Sequence, residues 1–384
     1  MKKFLRVLLI LLSYIAVAVV SVLLTVFVAL ETGSYDKLDQ LEALLLKYYV
    51  NGADESKLED AAAHAMVGAL GDRWSYYIPA DEYAAYLEQK NNAYVGIGVT
   101  IRETENGYYV DKVTEDGPGD QAGMLAGDVI VAVDGTSVIG MPVDEGKTLV
   151  QGPAGTTVSI TVERAGERIT FTIMRNIIRT KVATGQMLDG NIGLVTIENF
   201  NANCYNESKA AVEALLEQGA EALIFDVRYN GGGYANEMVK LLNYLLPEGD
   251  LFRTVDYAGN ESIDRSDASC VEVPMAVLVN GSSYSAAEFF AAALREYDWA
   301  ILIGEKTSGK GHYQVTYQLS DGSAVAISIG KYFTPNGNCL EGIGLDPDIP
   351  VTVDQQTAAA IYAGTLDPME DPQILAAMEA LKGQ

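Results

Sequence analysis

Hydrophobic and polar positions change rhythm several times along the chain, and each change predicts a different kind of structure. Residues 7–30, "VLLILLSYIAVAVVSVLLTVFVAL", hold 24 positions without a charge, following Lys2, Lys3 and Arg6. A run of that length spans a hydrocarbon core of ~30 Å, whereas the apolar region of a cleavable signal covers roughly 7–15 residues. From residue 35 to 70, "LDQLEALLLKYYV" and "ESKLEDAAAHAMVGAL" place apolar residues at helical spacing on either side of the turn "NGADE". From 92 to 176 the pattern becomes short alternating runs, "GVTIRE", "YYVDKV", "DVIVAVDG", "TVSITVER" and "ITFTIM", which read as strands punctuated by glycine and proline. Within them "GDQAGMLAGD" reads as a short helix ended by glycine.

From 190 to 350 buried strand-like runs alternate with amphipathic helices: "NIGLVTIENF", "NESKAAVEALLEQGA" opened by Asn206 or Ser208, "EALIFDVRY", "ANEMVKLLNYLL", "PMAVLVN", the helix from Ser285, and "AILIGE". That rhythm argues an α/β core with a parallel or mixed sheet, its sites gathered at the carboxyl ends of strands. The expected organisation is a cytoplasmic stub and transmembrane anchor over 1–31, an N-terminal helical region over 32–91, a β-rich module over 92–176, the α/β core over 177–352 and a C-terminal helical tail over 353–384. The positive flank predicts a cytoplasmic N-terminus, a single membrane pass through 7–30 and a bulk that lies outside the cytoplasm. Cleavage of the segment as a signal is the alternative.

Composition narrows the partners. The 52 acidic residues against 26 basic ones leave a net charge of -26, which argues against nucleic acid because nothing offsets phosphate repulsion. Cys204, Cys270 and Cys339 are widely spaced and odd in number, so they form neither a metal pattern nor a disulfide framework. His64 and His312 are the only histidines; His64 lies on an alanine-rich helix as a packed residue, and neither a metal nor a cofactor is implied.

Three loops carry candidate chemistry. "VNGSSYSAAEF" sets Asn280, Ser282, Ser283 and Ser285 before a helix, either as caps for the first-turn amides or as a hydroxyl poised where those amides stabilise developing negative charge. "RYNGGGY" follows a buried strand; Gly231, Gly232 and Gly233 allow a tight turn or expose amides to an oxyanion, and no Walker-type lysine follows. "TSGKGHYQ" frames Lys310 with glycines, and in an extended segment Lys310, His312 and Gln314 share one face. A desolvated lysine amine can serve as general base for a serine, and Gln314 can orient it without adding charge.

In these motifs the chain resembles the carboxy-terminal processing peptidases, or tail-specific proteases, which are serine proteases with an embedded PDZ domain and a Ser-Lys dyad. The resemblance runs from about residue 35 to 384. "VNGSSYSAAEF" is similar to the family's "VNxxSASASEI", which implies Ser285 as nucleophile and Glu288 as its accompanying acid. "SGKGHYQ" is similar to "FGKGxxQ", implying Lys310 as base and Gln314 as its partner, 25 residues beyond the serine as in the family. "DVRYNGGG" is similar to "DLRxNPGG", so that Gly231 or Gly232 would supply one oxyanion amide and Ala286 the other. "GIGLDPDIPV" resembles the closing "G-x-x-PD" strand. "GIGV" with "GPGDQAGMLAGDVIVAVDG" resembles a PDZ carboxylate loop, with Ile97, Gly98 and Val99 as the amides that would take a free C-terminus. The chain departs from the family at Tyr284, where alanine is usual, at Gly231, where proline is usual, and at "DRWS" (72–75) for "DPYS".

The resemblance implies a membrane-anchored extracytoplasmic serine endopeptidase acting on C-terminal segments of extracytoplasmic proteins, with a second copy of the chain as a candidate partner. Two rivals remain at this stage. One is a catalytically silent PDZ-type scaffold that holds protein tails at the membrane; the other is a hydrolase using His312 as base.

Overall fold

The computed structural model describes residues 14, 15, 17–22 and 37–382. Most of the apolar run at 7–30 lies outside the described residues; among those described, no helix is long and apolar enough to cross a membrane. The chain divides into two compact units, Met1–Gly71 and Asp72–Gln384.

In the first unit, helices α1 (Lys37–Tyr48) and α2 (Glu55–Gly68) form the expected pair. Asp54 caps α2, its side chain accepting from the Lys57 amide. Neither helix has a buried residue.

The second unit begins with a short strand, β1 (Tyr76–Ile78), and helix α3 (Ala80–Lys90), both within the stretch read simply as helical. Strand β2 (Ala93–Gly96) leads into the β-rich module of β3 (Val99–Thr104), β4 (Gly107–Val113), α4 (Pro118–Gln121), β5 (Val129–Val133), β6 (Thr136–Ser137), α5 (Val143–Val150), β7 (Thr157–Arg164) and β8 (Glu167–Met174). The alternation read from sequence is real: in β7 the inward positions Val158, Ile160 and Val162 are buried between exposed or half-buried neighbours. The module's sheet runs β3-β4-β5-β7-β8, which leaves β3 on an edge. Strand β9 (Asn176–Arg179) returns to pair with β2, so a two-stranded ribbon carries the chain into and out of the module.

The α/β core follows: β10 (Ala183–Leu188), β11 (Ile192–Ile197), α6 (Cys204–Glu217), β12 (Ala222–Asp226), α7 (Ala235–Leu245), β13 (Gly249–Asp256), β14 (Glu261–Ser266), β15 (Met275–Val279), α8 (Ala286–Glu296), β16 (Ala300–Gly304), β17 (His312–Gln318), β18 (Ala324–Phe333), β19 (Ile349–Pro350), α9 (Gln355–Tyr362) and α10 (Pro372–Leu381). The main sheet is mixed, in the order β10-β11-β12-β15-β16-β19; only β10 is antiparallel to its neighbour. Strands β12 and β15 are buried at every position, as a sheet covered on both faces requires. One face packs against α6, α7 and α8 through Phe225, Leu241 and Phe290. The other meets α10 through Ile224, Leu278 and Ala377.

Helix α6 starts at Cys204 with Asn203 as its left-handed cap (φ 76°), earlier than the Asn206 or Ser208 start expected. A second antiparallel sheet, β1-β18-β13-β14 with β17 on β18, was not expected at all. Its strands β13, β14, β17 and β18 are largely half exposed or exposed and carry Thr, Ser and Tyr among their apolar residues; of these only β18 opens on an apolar run, "AVAI". It matters to the site because β17 follows directly on Lys310.

Candidate active site

The carboxyl ends of β12, β15 and β16 converge. After β15 the chain turns at Asn280 and enters α8 at Ser285. Asn280 Oδ1 accepts from the amides of Tyr229 and Ser282, both at 3.0 Å, and Ser283 Oγ donates to Val227 O at 2.7 Å and accepts the Asn280 amide at 3.0 Å. The hydroxyl-rich loop is therefore a lattice of short bonds that ties β15 to the strand beside it, and Asn280, Ser282 and Ser283 are its shaping residues. Ser285 stands apart from them. It is only 7 % exposed and adopts φ 58°, ψ -127° at the junction of loop and helix. Such a conformation costs about 1–3 kcal/mol for a residue with a side chain and is held only where the surroundings over-determine it.

What holds it is Glu288, one turn into α8 and fully buried. Glu288 Oε2 accepts the amides of both Ser285, at 3.0 Å, and Lys310, at 2.8 Å. Its Oε1 accepts the Gly309 amide at 2.8 Å and the Thr307 hydroxyl. Burial pushes the Glu288 carboxyl above the usual carboxylate range, against these bonds, led by Thr307, which favour the charged form. One carboxylate thus fastens the serine's backbone to the lysine's. A second carboxylate, Glu341, continues the clamp: its Oε2 takes the Gly311 amide at 2.7 Å and its Oε1 the Trp74 indole at 3.0 Å. Three successive amides around Lys310 are held by acids from two other segments.

The Lys310 side chain lies against aromatic faces. Its Nζ is 4.7 Å from the Trp74 ring centroid and 5.8 Å from that of Tyr284, and the two rings stack at 5.8 Å. Burial holds the amine down to about 8; Lys90 lowers it further, Glu341 and Asp72 oppose, and Arg73 lowers it again. No hydrogen bond joins Lys310 Nζ to Ser285 Oγ among the described residues. Gln314, expected to orient that amine, donates instead to His312 O at 3.0 Å and Ser328 Oγ at 2.9 Å. The cause is an irregularity in the β17–β18 register between Tyr313 and Gln314, which breaks the shared face an extended strand would give Lys310, His312 and Gln314. His312 lies with its Nδ1 3.6 Å from Glu341 and forms no bond to Ser285.

The glycine loop closes the site from β12. The Gly232 amide is already occupied, donating to Asn230 Oδ1 at 2.8 Å, while the Asn230 side chain donates to Ile197 O at 2.8 Å. Gly232 has φ 82°, and a Cβ there would stand 2.8 Å from Ser285 Cβ and 2.9 Å from the Ala286 amide. Glycine is needed for the conformation and for the approach alike. Gly232→Ala is expected to cost about 2–4 kcal/mol of stability and to displace the serine; thermal melting together with serine labelling by a phosphonate checks it, and a variant that melts and labels as the parent does refutes it. A Cβ at Gly231 would instead meet the Tyr284 hydroxyl at 2.5 Å, so the phenol packs directly on this glycine.

In the β-rich module, the loop between β2 and β3 contains Ile97 and Gly98 (φ 73°) and leads into Val99. Ile97 O accepts the Gly119 amide at 2.7 Å and Gly98 O the Thr114 amide at 2.8 Å. These bonds fix the loop beside an edge strand whose outer backbone groups lack a sheet neighbour.

With this geometry in view, two protein-family models match: Peptidase family S41 over residues 191–351 and a PDZ domain over 109–164. The chain is 32 % identical over 335 residues to a probable CtpA-like serine protease of Staphylococcus haemolyticus, covering 86 % of this chain and 67 % of that one. It is 31 % identical over 320 residues to the carboxy-terminal processing protease CtpA of Bacillus subtilis, covering 83 % of this chain and 69 % of that one. The chain belongs to the carboxy-terminal processing proteases. It spans about two thirds of the length of these relatives. Among solved structures, the photosystem II D1 C-terminal processing protease is similar at a TM-score of 0.48 and 28 % identity, over 89 % of this chain and 93 % of that one. As a member of this family the protein is a serine-type peptidase with a PDZ domain, and the silent-scaffold reading falls.

Sequence reasoning missed three residues of this protease's site. Trp74 appeared only as a departure in "DRWS", Thr307 gave no signal, and Glu341 lies in a loop without a motif. Each acts by touching a segment far away in sequence: Trp74 and Glu341 are 267 residues apart, and Thr307 and Glu288 are 19 apart.

Proposed function

We propose that the protein is a membrane-anchored, extracytoplasmic endopeptidase that takes protein C-termini at its PDZ domain and cleaves upstream by a Ser-Lys mechanism. The observation that carries this reading is the single Glu288 oxygen on which the backbones of Ser285 and Lys310 meet. Neutral Lys310 removes the Ser285 proton as the hydroxyl attacks the scissile carbonyl, and the same amine returns a proton to the leaving group before water releases the acyl chain. The amides of Ala286 and Gly231 hold the oxyanion; Gly232, weighed beside Gly231 from sequence, is spent on Asn230. Gln314 steadies the strand that follows the base. Tyr284 packs on Gly231 at the edge of this oxyanion pocket. At the PDZ domain the amides of Ile97, Gly98 and Val99 take the terminal carboxylate, and the free edge of β3 takes the tail as an added strand. The uncharged run at 7–30 supports the anchor.

The pH dependence tests the mechanism. An ordinary lysine holds its proton past pH 10, so a Lys310 amine near 8 is neutral in about a tenth of molecules at pH 7 and in most above pH 9. For a peptide with a free apolar C-terminus, kcat/KM is expected to climb through pH 8 and level off, and the C-terminal amide of the same peptide is expected to be cleaved less well at every pH. An acid limb near 6 would assign the proton to an imidazole, and equal cleavage of acid and amide would remove the PDZ domain from substrate capture.

A further inference from the structure

In a chain with 52 acidic and 26 basic residues, two cations beside the site, Arg73 and Lys90, have no acid partner among the described residues. Arg73 is exposed; its guanidinium carbon lies 4.0 Å from the Trp74 ring centroid, and its Nη2 donates to Ser308 O and Ser308 Oγ, both at 3.3 Å. Ser308 in turn donates its amide to Ser283 O at 3.1 Å, so Arg73 stands on the rim between the serine loop and the lysine loop. On the glycine-loop side, Lys90 Nζ sits 5.6 Å from the Tyr86 and 5.9 Å from the Tyr234 ring centroids. Its carbonyl accepts the Ala202 amide at 3.1 Å, and Phe200, two residues back, donates its amide to Gly232 O at 2.8 Å. Lys90 is thereby fastened to the loop that faces Ser285.

A solvated arginine and a lysine at the end of a helix each have an ordinary explanation, since a cation there favours the helix dipole. The acids nearby decide otherwise. Glu288 is spent on backbone amides and Thr307, Glu341 on Trp74 and Gly311, and Asp72 on the Trp74 amide and the Ser75 hydroxyl. Among the described residues neither Arg73 nor Lys90 has a carboxylate within ion-pair distance; other exposed cations, such as Lys112 and Lys331, share that state, so it is their place beside the loops of the site that sets these two apart. Arg73 Nε and Nη1 donate to no group among the described residues and so remain for an incoming anion, and the flanking Trp74, Tyr234 and Tyr86 faces offer apolar contact on each side.

We propose that Arg73 and Lys90 form an anionic subsite, selecting peptides with an aspartate or glutamate close to the scissile bond. The proposal rests on the peptidase reading above. The test uses the full-length chain and matched peptides that share one apolar tail and carry Glu, Gln or Lys at each of the three positions on either side of the bond. The expected result is a Ser285-dependent cleavage in which the best Glu peptide exceeds its Gln twin by about five- to tenfold in kcat/KM at low salt. That ratio should fall toward one in the Arg73→Gln, Lys90→Gln double variant and in high salt, and Arg73→Lys should keep part of it. Because both side chains lie at the surface of the cleft, equal melting of parent and variants separates loss of the subsite from loss of the fold. Ser285-dependent cleavage indifferent to the charge, or a Glu preference that survives the double variant, overturns the subsite alone. The absence of any Ser285-dependent cleavage overturns the peptidase reading with it. If substrates show no preference while shortened products inhibit through Arg73, the cations serve the product carboxylate and the substrate subsite is likewise overturned.

Discussion

Ser285→Ala is expected to lower kcat/KM for tail peptides by a thousandfold or more, to the level that binding and an oxyanion pocket alone provide. The buried hydroxyls of Ser283 and Thr307 nearby are already engaged. Ser283 Oγ is tied to Val227 O and the Asn280 amide, and Thr307 Oγ1 to Glu288 and the Leu345 amide. Lys310→Met should fall as far, because a methionine of similar length fills the space between Trp74 and Tyr284 without offering a base. His312→Ala, in contrast, should retain most of the activity, since the imidazole reaches toward Glu341 and not toward the serine. Steady-state hydrolysis of one peptide by the three variants, each checked for parental melting, decides the matter. A Lys310→Met enzyme that still turns over, or a dead His312→Ala enzyme, would transfer the base to another group.

Glu288→Ala should be the most damaging change that leaves both proposed reacting groups in place. Four donors lose their acceptor at once: the amides of Ser285, Gly309 and Lys310 and the hydroxyl of Thr307. At about 1–3 kcal/mol for each buried donor left unpaired, and with some recovered by relaxation, the loss is about 4 kcal/mol or more. In a unit of this size that corresponds to roughly 6 °C in melting temperature. Activity should fall by at least a hundredfold even below the melting point, because this carboxylate is the acceptor that fixes the Ser285 amide at φ 58° and joins it to the Gly309 and Lys310 amides; the Ser308-to-Ser283 backbone bond that remains between the two loops does not reach Ser285 itself. Glu288→Gln preserves the shape but sets an NH2 among converging donors, so it should recover only part of either quantity. An alanine variant with parental melting and turnover would show the carboxylate to be dispensable.

How far the sequence could be read differs from segment to segment, for physical reasons. The β-rich module was legible because it buries one face of each strand, and period-two alternation records that directly. The helices of the core were legible through apolar spacing, and its central strands through unbroken apolar runs. The second antiparallel sheet was not, because β13 and β17 are half exposed, β14 is exposed, and they take their stability from pairing, β13 and β17 with β18 and β14 with β13, partners no local pattern names. The start of α6 was misread because Asn203 caps it in a left-handed conformation through its backbone, while the more familiar cap residues Asn206 and Ser208 fall inside the helix.

Glu288 marks the boundary most clearly. Its position three residues after Ser285 reads as an acid placed for the dipole of a helix start, which is a local account and an incomplete one. Its burial, and its grip on Thr307, Gly309 and Lys310, exist only because β16 lies parallel to β15 and delivers the following loop to the same end of the sheet.

By itself, then, the order of residues determined which side chains are the candidates for chemistry here: a serine at a helix start, a lysine between glycines and a glycine-rich turn, with a β-rich module beside them, all matters of residue type and near neighbours. Only the tertiary structure decided how those groups are held. The pinning of two loops by one carboxylate, the aromatic faces around Lys310, the loss of the Gly232 amide to Asn230, and the unpaired Arg73 and Lys90 all depend on contacts between distant segments. Hydrogen bonding and desolvation act over a few ångströms of space, and separation along the chain does not encode that distance.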